Sequence, residues 1–392
     1  MAKRRATENP MPGGQAALMQ AIIQHPEEDT PRLAYADLLD EIGGDANQAR
    51  AEFIRLQVEV AGLYSPSAVK PRDSRAYDLF EAHGREWCAG LGVDADVDCF
   101  ARGFLEVFSV TPSEFARTAG RLFAAAPIRV VKFSGQRFVP RLPRDWLRPA
   151  MAAPELERVR EIELAHPGVT DAHLGDLAAC SRLTSLRGLN LEDAPALTAP
   201  ALRLIAESPV FTGLRRLGLA GYGGRADRPG TDGSGVVGPD EIALLADAGH
   251  LLGLTELDVS DNTLGDAGAV LLAEAGWHLR VLNLRSNNIR SRGAAALARS
   301  SQFRELEKLH LHYNRIGDRG AVALARAKGF GRLRSLDLLR NKIGDAGAEA
   351  FLECEFASTL EDLALGENEG IRHTTAFALR DRFGDRLDMN DY

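Results

Sequence analysis

From about residue 155 onward the chain repeats itself. Leu254, Leu257, Val259, Asn262 and Leu264 set a pattern that recurs as Leu279, Leu282, Leu284, Asn287 and Ile289, then as Leu306, Leu309, Leu311, Asn314 and Ile316. It returns twice more, from Leu333 and from Leu360, and the asparagines Asn262, Asn287, Asn314, Asn341 and Asn368 are spaced by 25, 27, 27 and 27 residues. A fixed period of this length is the signature of a solenoid, in which no unit buries its apolar face alone and stacking is obligatory. Leucines two apart, such as Leu309 and Leu311, point to one face of a short strand. The asparagine turns the chain and offers both a donor and an acceptor to the neighbouring coil, so its repetition predicts a ladder of side-chain amides. The stretch that follows, with Asp266, Asp318 and Asp345 as candidate N-caps, opens a helix. Small residues behind it (Ala294, Ala295, Ala296, Ala321, Ala323, Ala325) let that helix pack close to the strands.

The pattern persists in weaker form upstream. Leu214, Leu217 and Leu219 are followed by Tyr222 where asparagine belongs, Leu186, Leu189 and Leu191 by Ala194, and Val159, Ile162 and Leu164 by Pro167. Ile128, Val131 and Phe133 read as a leading strand, giving eight repeats plus a cap. The period and the asparagine position resemble the ribonuclease-inhibitor type of leucine-rich repeat, shared by Ran GTPase-activating proteins and NOD-like receptors, over about residues 156–380. That resemblance implies an α/β solenoid, a horseshoe with parallel strands on the concave face and helices outside. The glycine-rich insertion 223–238 reads as a mobile surface loop, with a binding loop as the alternative.

The first half is of a different kind. Residues 1–14 are expected to be disordered. Three amphipathic helices are predicted at about 15–24, from just after Thr30 to Glu41 with Pro31 in the first turn, and at 48–63, where Phe53, Leu56, Val60 and Leu63 share a face. The residues from Pro26 to Glu41 and from Arg50 to Gln57 resemble the bacterial "repeat-companion" domain, a small module of about residues 15–63 that precedes repeats. A linker, 64–73, then leads into an α+β cap, 74–155, with a helix at 74–91, a strand at 103–110 and a capping box, Thr111 to Glu114, that opens a helix running to Ala126. Residues 381–392 read as a C-terminal tail.

Composition excludes several functional classes. The net charge of −8 argues against general nucleic-acid binding. No run approaches about 18 apolar residues, so no membrane insertion is expected. Four scattered cysteines (Cys88, Cys99, Cys180, Cys354) without a C-x2-C pair give neither a disulfide scaffold nor a zinc ribbon. No apolar segment follows Lys3, Arg4 and Arg5, which reads as a cytoplasmic protein. The excess of 41 Arg over 6 Lys is associated with bacterial GC-rich coding. Phosphate-loop, zinc-protease and nucleophile-elbow motifs are lacking, and no cofactor is expected. Asp37 and Glu41 share a helix face and read as solvated acids.

Alternation along each strand places a second set of residues on the open concave face. Acidic residues lead (Glu161, Glu163, Glu192, Asp193, Glu256, Asp258), with Asn190 among them. A basic and aromatic group follows: Asn283, Arg285, Lys308, His310, His312, Tyr313, Asp337, Leu339 and Arg340. The expected partner site consists of Arg285, Lys308, His310, His312, Tyr313, Asp337 and Arg340, with Glu256 and Asp258 at its acidic side. The function that follows is a non-enzymatic, monomeric, intracellular scaffold binding a protein partner, with the helical domain docking a second partner or localising the chain. Regulation of a small GTPase, which the resemblance suggests, and a role as a secreted effector are alternatives. A metal-dependent enzyme is a further one, because His310 and His312 face the same way and Asp337 falls beside His310 on the next strand.

Overall fold

In the computed structural model, residues 13–61, 66–135, 141–164, 166–192, 194, 196–221 and 237–389 are described. The expected disordered N-terminus up to residue 12, Asp193, Tyr222, the insertion up to residue 236 and the last three residues of the tail lie outside them. The chain forms two compact units, Met1–Lys132 and Phe133–Tyr392.

In the second unit each repeat contributes a short strand. These are Glu161–Leu164, Gly188–Asn190, Arg216–Gly218, Glu256–Asp258, Val281–Asn283, Lys308–His310, Ser335–Asp337 and Asp362–Ala364, and Leu387–Asp388 closes the series. Each pairs in parallel with the next, in one unbroken sequence order. The central residue of each repeat strand, from Ile162 through Leu309 to Leu363, is at most 2% exposed. So are the residues three before it, from Val159 to Leu360. Successive helices, among them Gly265–Glu274, Ser291–Arg299 and Gly317–Ala325, pack on one another. Glycine and alanine on their buried faces (Gly268, Ala269, Gly293, Ala294, Gly320, Ala321) permit this approach.

The asparagines form a buried ladder, from Asn262 at 5% exposure to Asn287, Asn341 and Asn368 at 0%. Each amide nitrogen donates to a carbonyl of the preceding coil: Asn262 to Leu219, Asn287 to Val259, Asn314 to Leu284, Asn341 to Leu311 and Asn368 to Leu338. Each oxygen accepts a backbone N–H from that same neighbour, as Asn314 does from Asn287 and Ile289. An unpaired buried peptide group costs about 1–3 kcal/mol, so one side chain prevents several such penalties at every coil.

Two turn geometries alternate over the first four rungs of the ladder. After Asn262 and Asn314 the left-handed residue is a glycine, Gly265 (φ 56°) or Gly317 (φ 60°). After Asn287 and Asn341 it is the very next residue, Asn288 (φ 56°) or Lys342 (φ 58°). The junctions differ accordingly. Gly265 and Gly317 donate their N–H to the backbone carbonyls of Asn287 and Asn341, whereas Arg290 bridges to Arg315 and Gly344 to Gly370.

The helix-opening aspartates correct an expectation. Asp266, Asp318 and Asp345 do not cap their own helices. Asp266 Oδ1 accepts the N–H groups of Arg290 and Gly293, Asp318 Oδ1 those of Gly344 and Gly347, and Asp345 Oδ1 that of Arg372. Each carboxylate already lies in its own first turn, and the neighbouring helix start stacked beside it presents the orphan donors.

The first unit begins with helices Gly13–Gln24, Thr30–Ile42, Asp45–Ala61 and Pro66–Ala89. The last starts at Pro66, so most of the expected linker 64–73 is helical. Proline is favoured in a first helical turn, where its missing N–H costs nothing. Ile22, Tyr35, Ala36, Leu39, Ala51, Ile54 and Phe104 form a core. The tight turn at Arg102 and Gly103 joins two short strands, Phe100–Ala101 and Phe104–Leu105. Gly103 has φ 87°, and a Cβ there would lie 2.7 Å from Ile54 Cα, so only glycine fits. Strand Val107–Val110, helix Pro112–Ala125 and strand Val130–Phe133 complete the sequence of elements, the helix opened by the Thr111–Glu114 capping box. Arg32 (0% exposed) and Glu106 (2%) form an ion pair of 2.6 Å inside this unit, and Arg102 and Arg129 also reach Glu106. On the surface, Arg55 bridges Asp37 and Asp40.

Candidate functional site

Strand register sets the site. His310 lies between Asn283 and Asp337, and Lys308 between Val281 and Ser335. On the other side, Asp258 pairs with Asn283 and Glu256 with Val281. With strands about 4.8 Å apart, Glu256 and Asp258 lie two strands from the histidines. Beyond the strand ends the coils stay in step: the Ser286 N–H donates to the His312 carbonyl, and that of Tyr313 to Leu339. Arg285, His310, His312, Tyr313, Asp337 and Arg340 thus form one group. Lys308 is on its central strand, and Glu256 and Asp258 stand apart from it.

The residue before each ladder asparagine is left-handed in all five late coils: Asp261, Ser286, Tyr313, Arg340 and Glu367, with φ between 52° and 58°. This conformation costs an L-residue about 1–2 kcal/mol. Because all five late coils have it, it belongs to the turn and is no mark of a site. It nevertheless turns Tyr313, 46% exposed, outward. The Arg340 guanidinium lies 4.8 Å from the Tyr313 ring centroid and that of Arg285 5.8 Å. Each arginine also has a carboxylate, Asp261 at 3.7 Å from Arg285 and Glu367 beside Arg340. Asp261 and Glu367 were not among the residues singled out from sequence. They occupy the position that Tyr313 and Arg340 occupy in their own coils, and that fixed offset from the asparagine is the signal that could have found them.

Asp337 joins the two histidines. Its Oδ2 is 2.7 Å from His312 Nδ1 and 4.0 Å from His310 Nδ1. Its Oδ1 accepts the Leu339 N–H at 3.1 Å. Burial alone pushes the Asp337 carboxyl up, but the imidazoles of His310 and His312 and the Leu339 amide outweigh it and hold the acid well below the usual carboxylate range. His310, His312 and Asp337 place three donor atoms within 4.8 Å of one another, a set able to hold a metal ion.

The acidic side is also internally matched. Asp258 Oδ2 accepts from Asn283 at 2.7 Å. Glu161 reaches Arg216 across Gly188, where a Cβ would lie 2.8 Å from the Glu161 carboxyl carbon. Burial pushes the Glu256 carboxyl up, with Glu161 adding to it against Arg216. Cys180 and Cys354 are buried free thiols that burial pushes up, consistent with packing roles.

A stack of parallel strands with helices behind and a half-exposed row of polar side chains in front defines the class of repeat solenoids. The particular repeat is the leucine-rich repeat, whose sequence profile matches residues 254–273, 278–298, 304–325 and 333–352. No curated protein matches the chain. Among solved structures, it is similar to an internalin of Listeria monocytogenes at 16% identity and TM-score 0.38, covering 68% of each chain. It is also similar to Rad7 in complex with Elc1 in yeast at 14% identity and TM-score 0.39, over 95% of this chain and 91% of that one. A leucine-rich-repeat protein of Leptospira interrogans is 17% identical at TM-score 0.36, over 65% of this chain and 60% of that one. Among the described residues no helix is long and apolar enough to cross a membrane.

Proposed function

We propose that the protein is a non-enzymatic, intracellular protein-binding scaffold that holds its partner on the strand face of its later repeats. The observation that carries this reading is the Arg285–Tyr313–Arg340 stack beside His310 and His312, drawn from consecutive coils and fixed by Asp261, Glu367 and Asp337. Side chains already held in place lose little freedom when a partner docks, so more of the contact energy appears as affinity. Tyrosine and arginine are the types that dominate interface energetics. We read the repeats as the ribonuclease-inhibitor type, residues 15–63 as the repeat-companion domain, and the chain as a bacterial monomer.

The test compares affinity capture from native lysate by the wild-type chain and by a variant with Arg285, Lys308, His310, His312, Tyr313 and Arg340 all changed to alanine. Any prey lost with the variant is then purified and its affinity measured against single substitutions. Tyr313→Ala and Arg340→Ala are expected to cost about 2 kcal/mol each, near thirtyfold in Kd. Identical prey for both baits, with the variant folded by circular dichroism, would sink the assignment.

A further inference from the structure

We propose that His310, His312 and Asp337 form a binding site for one divalent transition-metal ion of the zinc class. Bonds of about 2.0–2.2 Å to nitrogen and oxygen in a tetrahedral shell set neighbouring donors about 3.3 Å apart. The distances from Asp337 Oδ2 to the two Nδ1 atoms, 2.7 and 4.0 Å, bracket that separation, so small side-chain rotations reach it. The backbone supplies the frame. His310 and Asp337 are register partners in adjacent parallel strands, and His312 follows two residues on.

Three further observations point to an ion. His312 Nδ1 is buried and makes no aligned hydrogen bond, and its one close polar neighbour is Asp337 Oδ2 at 2.7 Å, itself a proposed ligand. The Leu339 N–H occupies Oδ1 of Asp337 and leaves Oδ2 toward the histidines, the outer-shell support that ligating carboxylates use. Two nearby cations are each paired with a carboxylate other than Asp337, Arg285 with Asp261 and Arg340 with Glu367. Two imidazoles and one carboxylate suit zinc and its neighbours in the first transition row, whereas calcium and magnesium take all-oxygen sites. His310 is 32% exposed and His312 20%, so the ion can enter from the strand face. The remaining position is left to water or to a donor atom of a docked protein. The site is independent of the scaffold reading, since it forms on this chain alone.

The experiment uses the full chain, free of any affinity tag and stripped with chelator, titrated with CoCl2 and then with ZnCl2. One equivalent of cobalt is expected to bind, with the visible d–d absorption of a four-coordinate ion, and zinc is expected to displace it. His310→Ala and His312→Ala should each weaken binding about a hundredfold or more, and Asp337→Asn at least tenfold. His278→Ala, on an exposed histidine elsewhere in the array, should change nothing. Circular dichroism confirms that each variant is folded, and Asp337→Asn keeps the side-chain volume should an alanine variant unfold. Absence of saturable cobalt binding overturns the proposal, as does binding that persists at wild-type strength in the His310→Ala, His312→Ala double variant.

Discussion

Asn314, 4% exposed, donates to the carbonyls of Leu284, Leu311 and His312 and accepts the N–H groups of Asn287 and Ile289. Asn314→Ala strands these groups in a dry interior and should cost about 3 kcal/mol, more than most core methyl deletions. Hydrogen exchange should show the loss in the preceding coil, at Asn287 and Ile289, and in its own. Asp318 gives a sharper test, because its oxygen serves the next helix. Asp318→Ala should cost about 1 kcal/mol, the worth of an N-cap. The amides that lose protection should be those of Gly344 and Gly347. Loss confined to the helix Gly317–Ala325 would restore the conventional reading. Sequence shows an aspartate at a helix start. It does not show that the nearest orphan donors are 26 residues further on, because that proximity exists only once coils have stacked.

At the scale of elements, the C-terminal helix His373–Phe383 depends on Asp345 in the same manner. Hydrogen bonding from the Arg372 N–H, with Thr375 and the Arg372 side chain, holds the Asp345 carboxyl down at about 2 from an ordinary 3.8. A lowered carboxyl contributes stability above its unfolded value and loses it as pH falls through its folded one. Protection of that helix should therefore decline between pH 3.8 and about 2, and Asp345→Asn should remove the dependence. In the first unit the Arg32–Glu106 pair joins the second helix to the segment after the Arg102–Gly103 turn. Glu106→Ala leaves buried Arg32 uncompensated and should destabilise that unit by about 3–5 kcal/mol, measured by urea denaturation. Neither partner stands out in sequence, since one charge among 26% is silent until its burial is known. The helix at Pro66 was hidden for a related reason: proline and charged residues read as a linker unless the neighbouring helix that supports them is in view.

At the scale of the molecule, the repeat array was legible because leucine and asparagine recur at fixed spacing, and strand register then followed by counting. That counting also brought His310, His312 and Asp337 together. It did not reveal the carboxylates of Asp261 and Glu367, which lie in turns where simple alternation fails. The array also needs an end. Arg386 Nη1 donates to the carbonyls of Ala357 and Leu360, and Leu365 donates to Asp388. Deleting residues from Gly384 onward should leave the preceding coil frayed, with exchange protection lost over 354–371 and aggregation increased, as expected when a coil loses the neighbour that covers it.

The alternation of turns carries a grammar for lengthening or shortening the array. Asn287 and Asn341, which share one turn, are 54 residues apart, so the smallest interchangeable module is a pair of coils. Copying or excising 54 residues keeps unlike neighbours side by side and preserves both kinds of junction. Copying 27 would set two like turns against each other and leave one junction without its matching face. Natural duplication and laboratory redesign of this protein should therefore both proceed in even steps.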